Sequence, residues 1–501
     1  MKKMRSVIFL LFALGLLIWN GCRDREDDFI TDGSVELRFS LDTLRFDTVF
    51  TELGSATRYF KVYNPNSRPL RLDKVYLKGG EQSPFRLNVD GLPGKSVDNV
   101  EIWGGDSIYV FVEVTVDPDQ PLSVSPFVIE DQVVLQSADR EQEVRLEAWG
   151  QNANYYPSRY NKGVPVLLTC DNGIIRWDDP KPYVIFGEIF IDSCALEMAA
   201  GTRVYVHGGI AKNDVFDVFN DGIIYTLEKG SIRLQGEPNN PVIIQGDRLE
   251  EDFQDQPGQW YGIILGRGSK GNQMDYAVIR NSLVGIYADS TSELTASHTQ
   301  IYNTNSNGLL AFHAKATMTN CLFYNHANNA VQILLGGDYL FEHCTIASYG
   351  VDASALGMSN YYCYDNNPLS CEINKTYRLN ATFRNCILFG SSRDELELSD
   401  FSGRQTPAQF NVQFDHCVVK VDQLLTSANS DFQDFLTALC SDCINGKRED
   451  KLFLDPSEDD FHLDTLSIAK DKGLVLPNIP DDLEGKPRDN MPDIGCFERK
   501  E

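Results

Sequence analysis

A five-residue frame that returns along the second half of the chain limits its fold more than any other feature. It reads Asp275-Tyr276-Ala277-Val278-Ile279, then Ser297-His298-Thr299-Gln300-Ile301 and Thr319-Asn320-Cys321-Leu322-Phe323. It returns as Glu342-His343-Cys344-Thr345-Ile346, Arg384-Asn385-Cys386-Ile387-Leu388 and Asp415-His416-Cys417-Val418-Val419. The third position runs Ala277, Thr299, Cys321, Cys344, Cys386, Cys417, at spacings of 22, 22, 23, 42 and 31 residues. A period near 22, with small residues alternating with aliphatic ones, marks stacked β coils: each coil leaves an apolar edge that only the next coil can cover.

The same register predicts two inward stacks. One is Met274, Ala296, Met318, Phe341, Phe383 and Phe414; the other is Ile279, Ile301, Phe323, Ile346, Leu388 and Val419. Asn281, Asn303 and Asn325 fall at one turn, where Asn tolerates left-handed backbone and its amide can bond along the stack. The long step from Cys344 to Cys386 hides an insertion, roughly 351–379, and two more interrupt the coils at 210–221 and 247–257. Loops leaving a rigid scaffold are where binding and catalytic residues collect.

Three phrases add a resemblance: Ala200-Gly201-Thr202-Arg203-Val204-Tyr205-Val206, Gly230-Ser231-Ile232-Arg233-Leu234-Gln235-Gly236 leading to Asn240-Pro241-Val242-Ile243-Ile244, and Gly258-Gln259-Trp260-Tyr261-Gly262-Ile263. With the closing segment Asp493-Ile494-Gly495-Cys496-Phe497-Glu498, they resemble right-handed parallel β-helix proteins of the pectin-lyase-like superfamily. The resemblance implies such a helix over residues 165–501.

Residues 34–150 read as a separate all-β domain. Val110, Val112, Val114 and Val116 alternate with Phe111, Glu113 and Thr115, and Val144, Leu146 and Ala148 alternate with charged residues, so one side of each strand faces a core. About seven short strands between turn signals predict a β-sandwich. Phe60-Lys61-Val62-Tyr63-Asn64 and the later Val-rich strand resemble the immunoglobulin-like domains of the HYDIN/ASPM/SPD-2 group. No Cys lies between residues 34 and 150, which excludes the inter-sheet disulfide of antibody domains. Residues 151–164 read as a linker.

The N-terminal end carries an address. Lys2, Lys3 and Arg5 precede an apolar run from Val7 to Trp19, too short for a membrane span and suited to a signal peptide over 1–21. Gly21-Cys22 resembles a bacterial lipobox, of the looser kind found in Bacteroidetes lipoproteins. This implies a lipid (palmitate) anchor on Cys22, removal of residues 1–21, and attachment to the outer membrane. The acidic tether 22–33, with Arg23-Asp24-Arg25-Glu26-Asp27-Asp28, is similar to the surface-export signal of those lipoproteins and implies exposure on the cell surface. Cleavage would take the formal charge from −27 to −30. Such acidity argues against nucleic acid, whose phosphates need clustered Lys and Arg.

Of twelve Cys, those at the repeated third position read as small buried apolar residues. Cys170 and Cys194 lie 24 residues apart in the first coils, the spacing of stacked neighbours. Cys363 and Cys371 bracket a polar insertion, and Cys440 and Cys443 form a Cys-x-x-Cys. These two pairs are the candidate disulfides of an oxidising envelope. No second pair completes a zinc site, and no metal ligand set is assigned.

Catalytic residues stay unassigned at this level. Asn303-Thr304-Asn305, Asp178-Asp179 and His207-Gly208-Gly209 do not match the carboxylate and His motifs of polygalacturonase-like enzymes. The nearest grouping to a lyase site is Arg393, Asp394, Glu395, Glu397 and Asp400, and alternation sends Asp394 and Glu395 to opposite faces. His298, His343 and His416 share one coil position and read as an outward polar ladder. Gly266-Arg267-Gly268-Ser269-Lys270-Gly271 lacks the Lys-Ser/Thr and the helix of a phosphate loop. Five Asp-Ser/Thr-aliphatic or Thr sites, at Thr43, Thr48, Ser107, Ser290 and Thr465, resemble the O-glycosylation signal of Bacteroidetes envelope proteins. Three readings follow. The first is a non-catalytic surface lipoprotein whose β-helix binds a glycan or an outer-membrane protein. The second is a polysaccharide lyase or glycoside hydrolase with a divergent site, using Ca²⁺ only if it is a lyase. The third is an accessory subunit of an outer-membrane complex.

Overall fold

The computed structural model describes residues 29–50, 57–115, 127–156, 165–213, 217–250, 252–362 and 375–499. Cys22, the acidic cluster behind it, Cys363 and Cys371 lie outside the described residues. The chain divides between Asn152 and Ala153 into two compact units.

The first unit is a β-sandwich. One sheet orders strands Arg38–Phe39, Arg58–Tyr63, Ser107–Val114, Phe85–Val89 and Leu92–Gly94. The other orders Thr43–Phe50, Arg140–Gln151, Phe127–Ser137, Leu70–Leu77 and Ser96–Ile102. Alternation does the sorting: Phe60, Val62, Val110, Val112, Val114, Val144, Leu146 and Ala148 are buried in one core between the sheets.

The second unit is a parallel β-helix of three strands per coil. The first face holds Glu188–Ile191, Ile223–Thr226, Gly262–Leu265, Ile286–Ala288 and their successors to Leu396–Ser399. The second face runs from Ile174–Trp177 to Phe410–Asp415 and Cys440–Ser441, the third from Asn154–Tyr156 to Ile444–Asn445. Asn154–Tyr156 pairs in parallel with Tyr183–Phe186, so the solenoid starts ahead of Pro165, inside the stretch read as a linker.

The repeated frame is the corner between the second and third faces. Its second position takes left-handed backbone in every coil: φ is 43° at Tyr276, 48° at His298, 49° at Asn320, 50° at His343, 51° at Asn385 and 48° at His416. Its third position turns inward beside a corner carbonyl, which explains the residue type. Thr299 Oγ1 donates to the Ser297 carbonyl at 2.9 Å, and the thiols of Cys321, Cys344, Cys386 and Cys417 make the same bond two residues back at 3.3, 3.5, 3.2 and 3.4 Å. A small side chain with one donor suits this site. Burial raises the Cys321, Cys344 and Cys386 thiols well above their ordinary range, so they stay protonated and inert.

Both inward stacks form as the register demands. The rings of Phe341, Phe383 and Phe414 lie nearly parallel, with centroids 4.9 and 4.8 Å apart. Asn281, Asn303 and Asn325 have φ of 65°, 51° and 55°, and the Asn325 amide donates to Asn303 Oδ1 at 3.3 Å. Cys440 and Cys443 are separate thiols rather than a linked pair. Cys440 extends the second face beside Phe414, and Cys443 follows Asp442 (φ 51°) as a seventh member of the corner ladder. The disulfide present among the described residues joins Cys170 to Cys194, whose Cα atoms are 5.9 Å apart.

The expected outward ladder of His is instead covered at His298 and His343, while His416 stays partly exposed. The C-terminal segment folds back along the third face and packs Phe461, Leu483, Ile494 and Phe497 against Leu322, Tyr324, Ile387 and Val418. Its polar groups meet the corner residues. The Asn320 amide donates to the Asp481 carbonyl at 2.9 Å, the Asn385 amide to the Leu474 carbonyl at 2.7 Å, and His343 Nδ1 lies 3.3 Å from the Gly495 carbonyl. Arg488 and Glu498 form an ion pair at 3.1 Å, with side chains 3% and 4% exposed.

Candidate functional site

On the first face the inward residues Ile189, Ile224, Ile263, Ile286 and Leu309 fill the core, so their neighbours in sequence point outward. The outward register runs Leu167, Phe190, Tyr225, Ile264, Tyr287, Leu310, each beside the next. Phe190 and Tyr225 stack at 5.2 Å, Tyr287 and Phe312 lie 5.6 Å apart, and Tyr362 meets Phe312 edge-on at 5.3 Å. All are partly exposed, so the face carries an aromatic stripe several coils long. Burial pushes the Tyr287 hydroxyl up to about 12, and the charge of Asp289 and the nearby Tyr261, Tyr225 and Tyr362 add to it.

At one edge of the stripe, where the third face turns into the first, four titratable groups converge. Glu188 opens the strand Glu188–Ile191. His207 closes Arg203–His207, and its ring stacks on Phe186 at 4.4 Å. Asp221 ends the hairpin of Gly209–Asn213 and Asp217–Asp221, the first expected insertion. Asp247 follows Val242–Gly246 and its carboxylate accepts from His207 Nδ1 at 2.7 Å. The coils approach closely here: a Cβ on Gly208 would stand 2.2 Å from the Gln259 carbonyl, and one on Gly222 (φ +79°) 2.9 Å from Trp260 Cβ.

The electrostatics follow from this crowding. Glu188 is 5% exposed and its Oε2 has no hydrogen-bond partner. Burial, with the charge of Asp221, pushes its carboxyl up to about 7. Burial also raises Asp221, against the opposing pull of the Gly222 N–H and His207. For His207 burial favours the neutral ring, but the hydrogen bond and charge of Asp247 outweigh it and raise the group. A protonated carboxyl beside a second carboxyl and a His–Asp pair is the inventory of acid–base chemistry near neutral pH. Among the described residues no group of three or more His, Cys, Asp or Glu is placed to hold a metal ion.

This site has a stability signature. Glu188 binds its proton more tightly folded than unfolded, where the ordinary value is 4.5. Raising the pH from 4.5 through about 7 therefore favours the unfolded chain. Glu188→Gln should flatten that part of the stability–pH curve and raise stability at pH 8 by on the order of 1–3 kcal/mol. Urea denaturation at three pH values reads it, and an unchanged curve would refute the buried, protonated state.

The acidic grouping marked in the sequence has other duties. Asp394 accepts from the backbone N–H groups of Asp422, Gln423 and Leu424 at 2.6, 3.1 and 3.2 Å, capping a short helical turn. Arg393 pairs with Asp422 at 2.9 Å. Asp400 holds Asn360 at 2.6 Å and the Arg404 N–H at 2.8 Å. Glu395 is buried, accepts from the Ala355 N–H at 3.0 Å, and is pushed up to about 7 by burial. Glu397 remains in a polar cleft of about 460 Å³ on the first face, with Ser354, Ser392 and Asp394. The phosphate-loop lookalike is a turn between coils with Arg267, Lys270 and Gly271 exposed, in which the buried Ser269 donates to the Gly230 carbonyl at 2.9 Å.

Of the five glycosylation candidates, Thr465 is exposed and Thr43, Ser107 and Ser290 are partly so. The aspartate before Ser107 and Ser290 accepts from that serine's own N–H at 2.7 and 2.6 Å. Thr48 lies in the strand Thr43–Phe50.

With this geometry established, comparison gives the hand of the helix. Residues 190–346 match the family model for the right-handed β-helix region. No curated protein matches the chain. A family 123 glycoside hydrolase from Clostridium perfringens is 7% identical, over 23% of this chain and 26% of that one, with a TM-score of 0.16. This chain thus spans about a quarter of that structure. The catalytic unit of a GH87 alpha-1,3-glucanase from Streptomyces thermodiastaticus strain HF3-3 is 10% identical over 72% of this chain and 73% of that one, with a TM-score of 0.26. The Agl-KA catalytic domain is 8% identical over 82% and 92%, with a TM-score of 0.18. At these scores the three carry no argument about activity.

Proposed function

We propose that the right-handed β-helix binds an extended glycan along its first face. The observation that carries this reading is the outward stripe of Phe190, Tyr225, Tyr287, Phe312 and Tyr362, which the core does not need. Aromatic faces offer rigid apolar area to the C–H faces of sugar rings, and the tyrosine hydroxyls and Asp289 supply hydrogen bonds at the rim.

The corner cluster favours a second reading, in which the bound glycan is hydrolysed. Glu188 would give its proton to the glycosidic oxygen as the carbon–oxygen bond breaks. Asp221 would take a proton from the water whose oxygen forms the new bond, and solvent exchange would reset both groups. One experiment separates the two readings. The protein is titrated with a panel of neutral and acidic polysaccharides, with and without Ca²⁺, and new reducing or unsaturated ends are counted. Tyr287→Ala should weaken binding about tenfold; unchanged binding would remove the stripe from the site. Release of reducing ends that Glu188→Gln and Asp221→Asn abolish supports hydrolysis, and binding without release supports a binding protein.

We place the protein on the outer membrane, facing outward through a lipid on Cys22, a reading supported by the signal-like segment, Gly21-Cys22 and the acidic tether. The N-terminal unit belongs in this reading to the immunoglobulin-like sandwiches, acting as a spacer. Its envelope setting also makes Thr43, Thr48, Ser107, Ser290 and Thr465 candidates for O-glycosylation, and Cys363–Cys371 a candidate disulfide. Intact mass of the membrane-derived protein reads these modifications. Full protection from protease added to intact cells would sink the outward-facing claim.

A further inference from the structure

The sandwich carries a second cluster of exposed aromatics, which nothing in the β-helix explains. The alternation that buries Phe60, Val62, Val110 and Val112 turns Tyr59, Lys61, Tyr109 and Phe111 to the opposite side of the sheet. One row across the strands reads Tyr59, Phe111, Asn88, Pro93; the next pairs Lys61 with Tyr109. Tyr59 is 51% and Tyr109 37% exposed. The Tyr109 and Phe111 rings are nearly parallel, with 14° between planes and centroids 5.8 Å apart, and Tyr59 lies 5.2 and 5.7 Å from them. The core is complete without these rings, so their exposure has no packing purpose.

Phe111, alone of the three rings, also lines a cavity of about 770 Å³, with Asn88, Arg86, Glu113 and Lys95 among its other walls. Asn88 Oδ1 is shielded from solvent and has no hydrogen-bond partner. An orphaned carbonyl beside a cavity is an acceptor awaiting a donor. Arg86 stands exposed at its rim. Glu113 accepts from the Thr57 hydroxyl at 2.6 Å and keeps further acceptor positions. The charges nearly cancel, with Lys61, Arg86 and Lys95 against Glu81 and Glu113, so the site has little pull on an anion.

We infer that this face of the sandwich binds a neutral glycan chain, one sugar ring lying on Tyr59, Tyr109 and Phe111 and the next entering the cavity to donate a hydroxyl to Asn88. Neighbouring strands are ~4.8 Å apart, close to the width of one sugar ring, so consecutive outward residues across the sheet can meet consecutive rings. This inference does not rest on the first face of the β-helix.

The test is calorimetric titration of the full chain with a neutral gluco-hexaose and, separately, with a galacturonan hexaose. The neutral chain is expected to bind wild type, and Tyr59→Ala and Tyr109→Ala each to weaken it about tenfold. Tyr59→Phe, which keeps the ring, should bind as wild type. An unchanged melting temperature shows that the variants fold. No binding of the neutral chain, stronger binding of the acidic one, or wild-type affinity in Tyr59→Ala and Tyr109→Ala would each overturn the inference.

Discussion

Replacing Arg488 by alanine is expected to destabilise the β-helix by about 3–5 kcal/mol. The guanidinium is 3% exposed and serves five partners: Glu498 Oε2 at 3.1 Å, Asn320 Oδ1 at 2.9 Å, the Asp481 and Gly495 carbonyls, both at 3.0 Å, and the Asp493 carbonyl at 3.5 Å. Its removal leaves a buried carboxylate without its cation and takes a donor from four further acceptors, and such losses inside a core cost more than a surface ion pair. Lysine keeps the charge but not the fork and should fall in between. Adding Glu498→Gln to the alanine variant should recover part of the loss. Urea unfolding followed by far-ultraviolet dichroism measures this; a loss under about 1 kcal/mol would mean that the closing segment is not held by Arg488.

Phe383→Ala should cost about as much, 3–5 kcal/mol, for a different reason. Phe383 is fully buried between Phe341 and Phe414 in a stack with 11° and 9° between planes. The coils above and below are pinned by backbone hydrogen bonds at a fixed rise, so they cannot collapse into the hole. Phe401 is 56% exposed, and its alanine variant should lie within about 1 kcal/mol of wild type. The pair compared by thermal melting isolates core packing from ring size; equal losses would refute it.

The coils were legible because stacking imposes one environment on every residue of a column. A left-handed corner selects Asn, His and Tyr, and an inward site beside an unpaired carbonyl selects Thr or Cys, so the frame survives in residue type. Columns do not reveal what covers them. His343 and Asn385 read as outward because they are polar and sit on a corner. Their cover arrives from residues 474–495, with no local signal of it. Cys443 was hidden as a ladder member because two short helices, Gln423–Thr426 and Phe435–Ala438, separate it from Cys417. The site at Glu188, His207, Asp221 and Asp247 has no motif at all. Its residues come from three successive coils and a hairpin, and only the superposition of those coils brings them together. The insertions at 210–221 and 247–257, visible in the sequence, were the pointers to it, since Asp221 closes the first and Asp247 opens the second.

A stack of coils grows by nearest-neighbour addition, so nothing in the ladder itself tells the last coil that it is last. The returning C-terminal segment changes this. Asp481 reaches His298 across 183 residues of sequence, and Arg488 reaches Asn320 across 168. The array is linear in its coils but cyclic in its contacts. A chain interrupted ahead of residue 474 can build a ladder yet has nothing to latch it, and fraying of the final coil requires release of a strap bound several coils earlier. The segment therefore acts as a proof of completeness: residues that follow all the coils in sequence are the ones that fasten earlier coils in place.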